Sequence, residues 1–224
     1  IELEEDPAGG PDRAALTRAL ASAPAGGRVL CSFSAASNIT GEIADVEGLT
    51  RQVRAAGARI VWDYAGGGPY LPIRMDPAPD AQIDAIVISP HKFVGGPGAS
   101  GVLLLRRDAV ATRRPTWPGG GTVKFVSPTA HDYSDSLEAR EEAGTPNVIG
   151  DLRAALAFLV KVRIGTDRIA ARNAVLLRRA LAAWADHPGI QLLGAASRPR
   201  LPILSFRLHD GAGGFVHHQL ATRL

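Results

Sequence analysis

Asp84-Ala85-Ile86-Val87-Ile88-Ser89-Pro90-His91-Lys92-Phe93-Val94-Gly95-Gly96-Pro97-Gly98-Ala99-Ser100-Gly101-Val102-Leu103-Leu104-Leu105-Arg106 is the stretch on which the reading of this chain turns. An apolar run enters a polar quartet, a glycine-rich turn follows, and a second apolar run leaves it. Short, continuously apolar runs bounded by turn residues read as buried strands with both faces covered. Two more lie upstream, Arg28 to Ser34 and Arg59 to Asp63. Between those two, Val46 to Ala56 carries apolar residues at helical spacing, and Gly57 stands at its C-terminal cap. Earlier still, Asp12 caps a helix with Leu16, Ala19 and Leu20 on one face, closed by Pro24-Ala25-Gly26-Gly27. This alternation predicts an α/β fold, a mainly parallel sheet flanked by helices.

Downstream, residues 112–146 mix Pro, Gly and polar side chains without periodicity and read as long functional loops. Asn147 to Val162 and Thr166 to His187 are predicted helices, and the chain ends at Leu224 inside another helical pattern. Ile190 to Leu193 and Leu201 to Leu208 read as strands of a second unit. With a boundary near Pro188-Gly189, residues 1–188 form a large domain and 189–224 begin a smaller α+β domain.

The 224 residues are 46% hydrophobic and 21% charged, enough to bury a sizeable core. Net charge is only +3, and the basic pairs Arg106-Arg107 and Arg113-Arg114 are short and separated, so they read as solvated surface. A nucleic-acid partner needs a concentrated basic face, and none is expected. No apolar run reaches the roughly 20 residues of a membrane span, and no signal peptide is visible. The single cysteine, Cys31, forbids an internal disulfide and points to a reducing, cytoplasmic setting. Placed in an apolar strand, it reads as an inert core thiol. His217-His218 are adjacent, so on a helix they point apart, and His131-Asp132 is too few ligands; no metal is expected. Glu138 to Glu142 reads as a solvated helix start or loop, and Trp62 as a residue packed under the sheet.

Asp63 ends an apolar strand, where open α/β sheets bind ligands. Taken alone it could equally be a cap or loop hydrogen bonder. Lys92 follows another strand. Its glycines come after it and no helix opens next, so the turn is not a nucleotide P-loop. At the mouth of a buried strand, desolvation favours the neutral amine that imine formation requires. Ser89 and His91 can donate to a phosphate on the same ligand. A strand-end carboxylate and a strand-end amine on one sheet edge are what pyridoxal 5′-phosphate (PLP) chemistry needs: a lysine for the Schiff base and an acid on the pyridinium nitrogen.

In this respect the chain resembles the class V aminotransferase family of fold-type I PLP enzymes, which includes cysteine desulfurases and selenocysteine lyases. The resemblance rests on Ser37-Asn38-Ile39-Thr40-Gly41, Asp63, Ser89-x-His91-Lys92, Gly95 to Gly101 and Glu142-Ala143-Gly144-Thr145-Pro146-Asn147. It implies Lys92 as the Schiff-base lysine, Asp63 as the pyridinium partner, and Ser89 and His91 on the phosphate. It places Asn38 near the ring oxygen or the substrate. It also implies a homodimer in which Thr145 reaches the neighbouring subunit's cofactor. The family's usual Gln three residues after the Asp is replaced by Gly66. An earlier phosphate loop with its ring-stacking residue, and a later Arg and reactive Cys, have no counterpart here, so the natural chain is expected to be longer. The implied function is a PLP enzyme acting on an amino acid, desulfurase- or lyase-like or a class V aminotransferase. The alternatives are a fragment or degenerate relative that keeps the fold without the chemistry, and a nucleotide-binding α/β module using the Gly95 to Gly101 turn.

Overall fold

The structure is a computed structural model that describes residues 1–7, 9–24, 26–184, 186–194 and 198–221. Ala25 of the predicted helix-ending turn, Ala185 within the predicted helix ending at His187, and Leu224 lie outside these. Asp12 accepts hydrogen bonds from the N–H groups of Ala14 and Ala15 and so starts α1 (Arg13–Ala21). The chain continues through β1 (Leu30–Ser34), α2 (Val46–Ala55), β2 (Arg59–Asp63), β3 (Ala85–Ile88) and β4 (Val102–Leu105). These four strands form one sheet in the order β1-β2-β3-β4, the first two pairings parallel and the last antiparallel.

One face of this sheet holds the core. Ile60, Trp62, Ile86 and Ile88 pack with Leu16 of α1, and with Leu49 and Val53 of α2. Trp62 is fully buried, and its indole N–H donates to Thr50 Oγ1 at 2.8 Å, which satisfies the one polar atom it carries inside. The opposite face is open, contrary to the expectation of cover on both sides. Leu30 is 65% and Leu103 59% exposed, and Val87 is also exposed. Strand β1, read as buried, is an edge strand with outward Leu30, Ser32 and Ser34. Apolar strand composition reports what a strand can bury; the helices of the described chain supply side chains to only one side.

Residues 112–146 are more ordered than their composition predicts. They hold a hairpin, β5 (Val123–Val126) and β6 (His131–Tyr133), and the short helix α3 (Leu137–Glu141). Ser136 caps α3, and Glu138 pairs with Arg107 at 2.6 Å. Next come α4 (Val148–Ile164), capped by Asn147, and α5 (Thr166–Trp184). The antiparallel pair β7 (Ile190–Leu192) and β8 (Phe206–Leu208) and the short α6 (His218–Ala221) complete the chain. Residues 199–205 are hydrogen-bonded to the 39–43 loop: Leu201 N–H donates to Gly41 O and Ser205 Oγ to Ile39 O. His217 precedes α6 instead of lying in it, so its ring meets that of His218 at 4.2 Å, correcting the expectation that the two diverge. Among the described residues no helix is long and apolar enough to cross a membrane.

Candidate active site

Two aspartates stand near strand ends, and their surroundings separate them. Asp84 is 5% exposed and spent on structure: it accepts from the Ile60 N–H at 2.8 Å and is paired with Arg54 at 3.2 Å. A carboxylate so compensated is stable where it is. Asp63, at the C-terminal end of β2, is half-buried, and only its Oδ1 is engaged, by the Ala65 N–H at 2.6 Å. Asp63 lines a cleft of about 600 Å³ together with Lys92, Asn38, Ser37, Ala36 and Gly66. Three residues singled out from the sequence, Asp63, Lys92 and Asn38, thus share one cavity. Ser89, His91 and Thr145 are not among its lining residues.

Local geometry explains the convergence. Strands β1 and β2 run parallel with Ser34 opposite Asp63, so the loops leaving both emerge on the same edge. After β1, Ser37 Oγ accepts from the N–H groups of Ile39 and Thr40, folding Asn38 toward the cleft edge. After β2, the backbone turns sharply through Ala65 to Leu71, with Leu71 N–H donating to Gly67 O. A Cβ at Gly66 would meet Ala36 O at 3.5 Å and Asn38 Cβ at 3.8 Å, which is ordinary contact. The glycine is therefore not imposed by crowding, and the space above it opens into the cleft. After β3, a single 3-10 turn, Pro90–Lys92, carries the lysine, with Lys92 N–H donating to Ser89 O.

The chain contains three lysines. Lys124 is paired with Asp135 on the β5–β6 hairpin. Lys161 is 8% exposed and donates to Gly68 O and Leu71 O at 2.6 and 2.5 Å, with its ammonium 5.4 Å from the Phe93 ring centre. Burial pulls Lys161 down to about 8. Lys92 is exposed, so the desolvation expected at that position is absent from the described surroundings. It nevertheless remains the lysine that lines the cleft with Asp63.

Sequence reading missed Lys161. The signal was present, because Gly150, Ala154, Ala157 and Lys161 recur at helical spacing and are the buried positions of α4. A lysine in register with three small core residues is a buried lysine. Arg198 was also missed; it lines the same cleft, donates to Gly9 O at 2.6 Å and lies 3.7 Å from Glu42. Cys31 is partly buried, and burial pushes its thiol up, away from the reactive thiolate.

Known proteins share the fold that carries this cleft. The family model for Aminotransferase class-V matches residues 6–223. A probable cysteine desulfurase of Mycobacterium leprae is 32% identical over 80% of this chain and 28% of its own length. One from Aeropyrum pernix is 36% identical over 60% of this chain and 32% of its own. The apo cysteine desulfurase of Thermococcus onnurineus superposes with a TM-score of 0.79 at 25% identity, covering 99% of this chain and 52% of that one. The Escherichia coli cysteine desulfurase CsdA gives 0.78 at 24% identity, covering 98% and 51%, and shows the shared fold. The chain thus spans about half the length of these solved proteins and about a third of the two sequence relatives.

Proposed function

We propose, because this chain belongs to the aminotransferase class-V family, that it binds PLP in the Asp63–Lys92–Asn38 cleft and acts on an amino acid. The observation that carries this reading is that the strand-end carboxylate Asp63 and the lysine Lys92, from the ends of neighbouring strands, line a single cavity large enough for a small cofactor, whose lining also includes Glu4, Glu5 and Glu42. The donor set fits the group: an acid with one oxygen already oriented, an amine open to solution, and an amide at the rim. Bound PLP supplies a ring that accepts electrons from the substrate α-carbon.

The chain's own residues have distinct parts in this. Asp63, with Oδ1 fixed by the Ala65 N–H, has Oδ2 left and would hold the protonated ring nitrogen. Lys92 would hold the cofactor through its amine and would move a proton at the substrate α-carbon. Ser89 and His91 stand on the Lys92 turn outside the cleft lining, and would hold the phosphate from there. Thr145 is exposed on the loop before α4, outside the cleft of its own chain, which suits a residue that serves the cofactor of a second copy in a homodimer. The names of the relatives make cysteine the substrate we favour, in a cytoplasmic setting where a lone cysteine stays reduced. Cys31 is not the sulfur acceptor, given its burial.

The test is direct. Purified protein mixed with PLP is expected to develop a visible absorption band, and borohydride is expected to fix a pyridoxyl group on Lys92, located by peptide mass spectrometry. Gly66 and the exposure of Lys92 favour a second reading, a fold kept without its chemistry. A folded protein that yields no adduct would select that one.

A further inference from the structure

Helix α4 meets both arms of the cleft. Its Phe158 packs edge-on against Phe93 at 5.1 Å, next to Lys92, and Ser100 at the end of the Lys92 turn donates its N–H to Gly150 O. One turn beyond Phe158, the Lys161 ammonium donates to the carbonyls of Gly68 and Leu71, in the loop that follows Asp63, while facing the Phe93 ring. Gly68 itself lies against this ring: a Cβ there would come within 3.2 Å of Phe93. Lys161 and Lys92 line a common cavity of about 380 Å³ beside the turn.

We infer that Lys161 is a positioning residue: by tying the 68–71 loop to the Phe93 side of the Lys92 turn, it sets the span between the Asp63 carboxylate and the Lys92 amine. An ammonium suits this task. It carries three donors on one atom, and here two backbone carbonyls and an aromatic face surround it. Two loops with no strand pairing between them are thereby fixed from a third element. The inference rests on the reading of the cleft as a PLP site.

The experiment compares wild type with Lys161→Met, which keeps the stem and removes the donors, and Lys161→Arg, which keeps charge and donors. Folding is followed by circular dichroism, PLP affinity by the visible band, and attachment by the fraction of chains trapped on Lys92 with borohydride. Lys161→Met is expected to stay folded but to bind PLP about tenfold or more weakly, the scale of losing charge-assisted hydrogen bonds. Its trapped fraction at equal PLP should fall, with partial recovery in Lys161→Arg. Wild-type affinity and trapping in a folded Lys161→Met variant would overturn the positioning role, since a merely structural lysine changes the melting temperature and not the Kd of the folded form. If the Met variant fails to fold, Lys161→Gln, with one donating amide, carries the same comparison and the same two outcomes. Absence of an adduct in wild type would instead count against the PLP reading itself.

Discussion

Replacing Gly96 with alanine is expected to collapse the turn that carries Lys92. A Cβ at this position would lie 1.9 Å from the Pro90 carbonyl oxygen and 3.0 Å from that of Phe93. Both are backbone atoms, so no side chain can swing aside. The turn is closed by Phe93 N–H to Pro90 O and Gly96 N–H to Phe93 O, each 2.9 Å, and a methyl group inserted between them separates both pairs. The requirement here is room, whereas neighbouring Gly95 is needed for its positive φ of 80°. Overpacking of this kind costs about 3 kcal/mol, read as a fall in the urea midpoint of unfolding. PLP trapping on Lys92 should fall with it. Gly120→Ala is the control: nothing lies within 4 Å of the added Cβ, and stability should be unchanged. Equal midpoints for the two variants would show that the crowding at Gly96 is relieved at no cost.

Lys92→Ala is expected to remove covalent PLP attachment altogether while leaving the fold intact. Lys92 is exposed, so its loss should change stability by no more than about 0.5 kcal/mol, as for surface substitutions generally. Reduction with borohydride followed by peptide mapping is the measurement. An adduct that persists would move the assignment to Lys161, the other lysine bordering the turn.

The sheet and its companion helices could be read from the sequence because their signals are local. Asp12 caps α1 as its position foretold, and Arg59 to Asp63 forms β2 with the bounds its apolar run sets. The meeting of Asp63, Asn38 and Lys92 in one cleft also follows from strand order and parallel register. What escaped was whatever depends on distance in three dimensions. An apolar run cannot say which of its faces is covered, so the open side carrying Leu103 was misread. The β5–β6 hairpin hides in a stretch rich in Pro and Gly because its two strands, each short, carry Lys124, His131 and Asp132 among their residues. The exposure of Lys92 and the burial of Lys161 are reversed from what a reader of motifs would assume. The first lies on a turn that projects from the sheet, and the second on a helix face otherwise made of glycine and alanine.

That buried amine also couples folding to proton uptake. Folded, Lys161 titrates at about 8, against 10.5 for an ordinary lysine. Between these values the denatured chain binds a proton here that the native chain has released, so denaturation in this window consumes acid. Stability from this group is complete above pH 10.5 and declines as pH falls to about 8, below which it no longer varies. Each unit of displacement is worth about 1.4 kcal/mol, so urea titrations at pH 8 and 10 should differ in wild type and converge in Lys161→Met. Burial of this amine, and not the contacts it makes, is what makes its own contribution to stability larger in alkali.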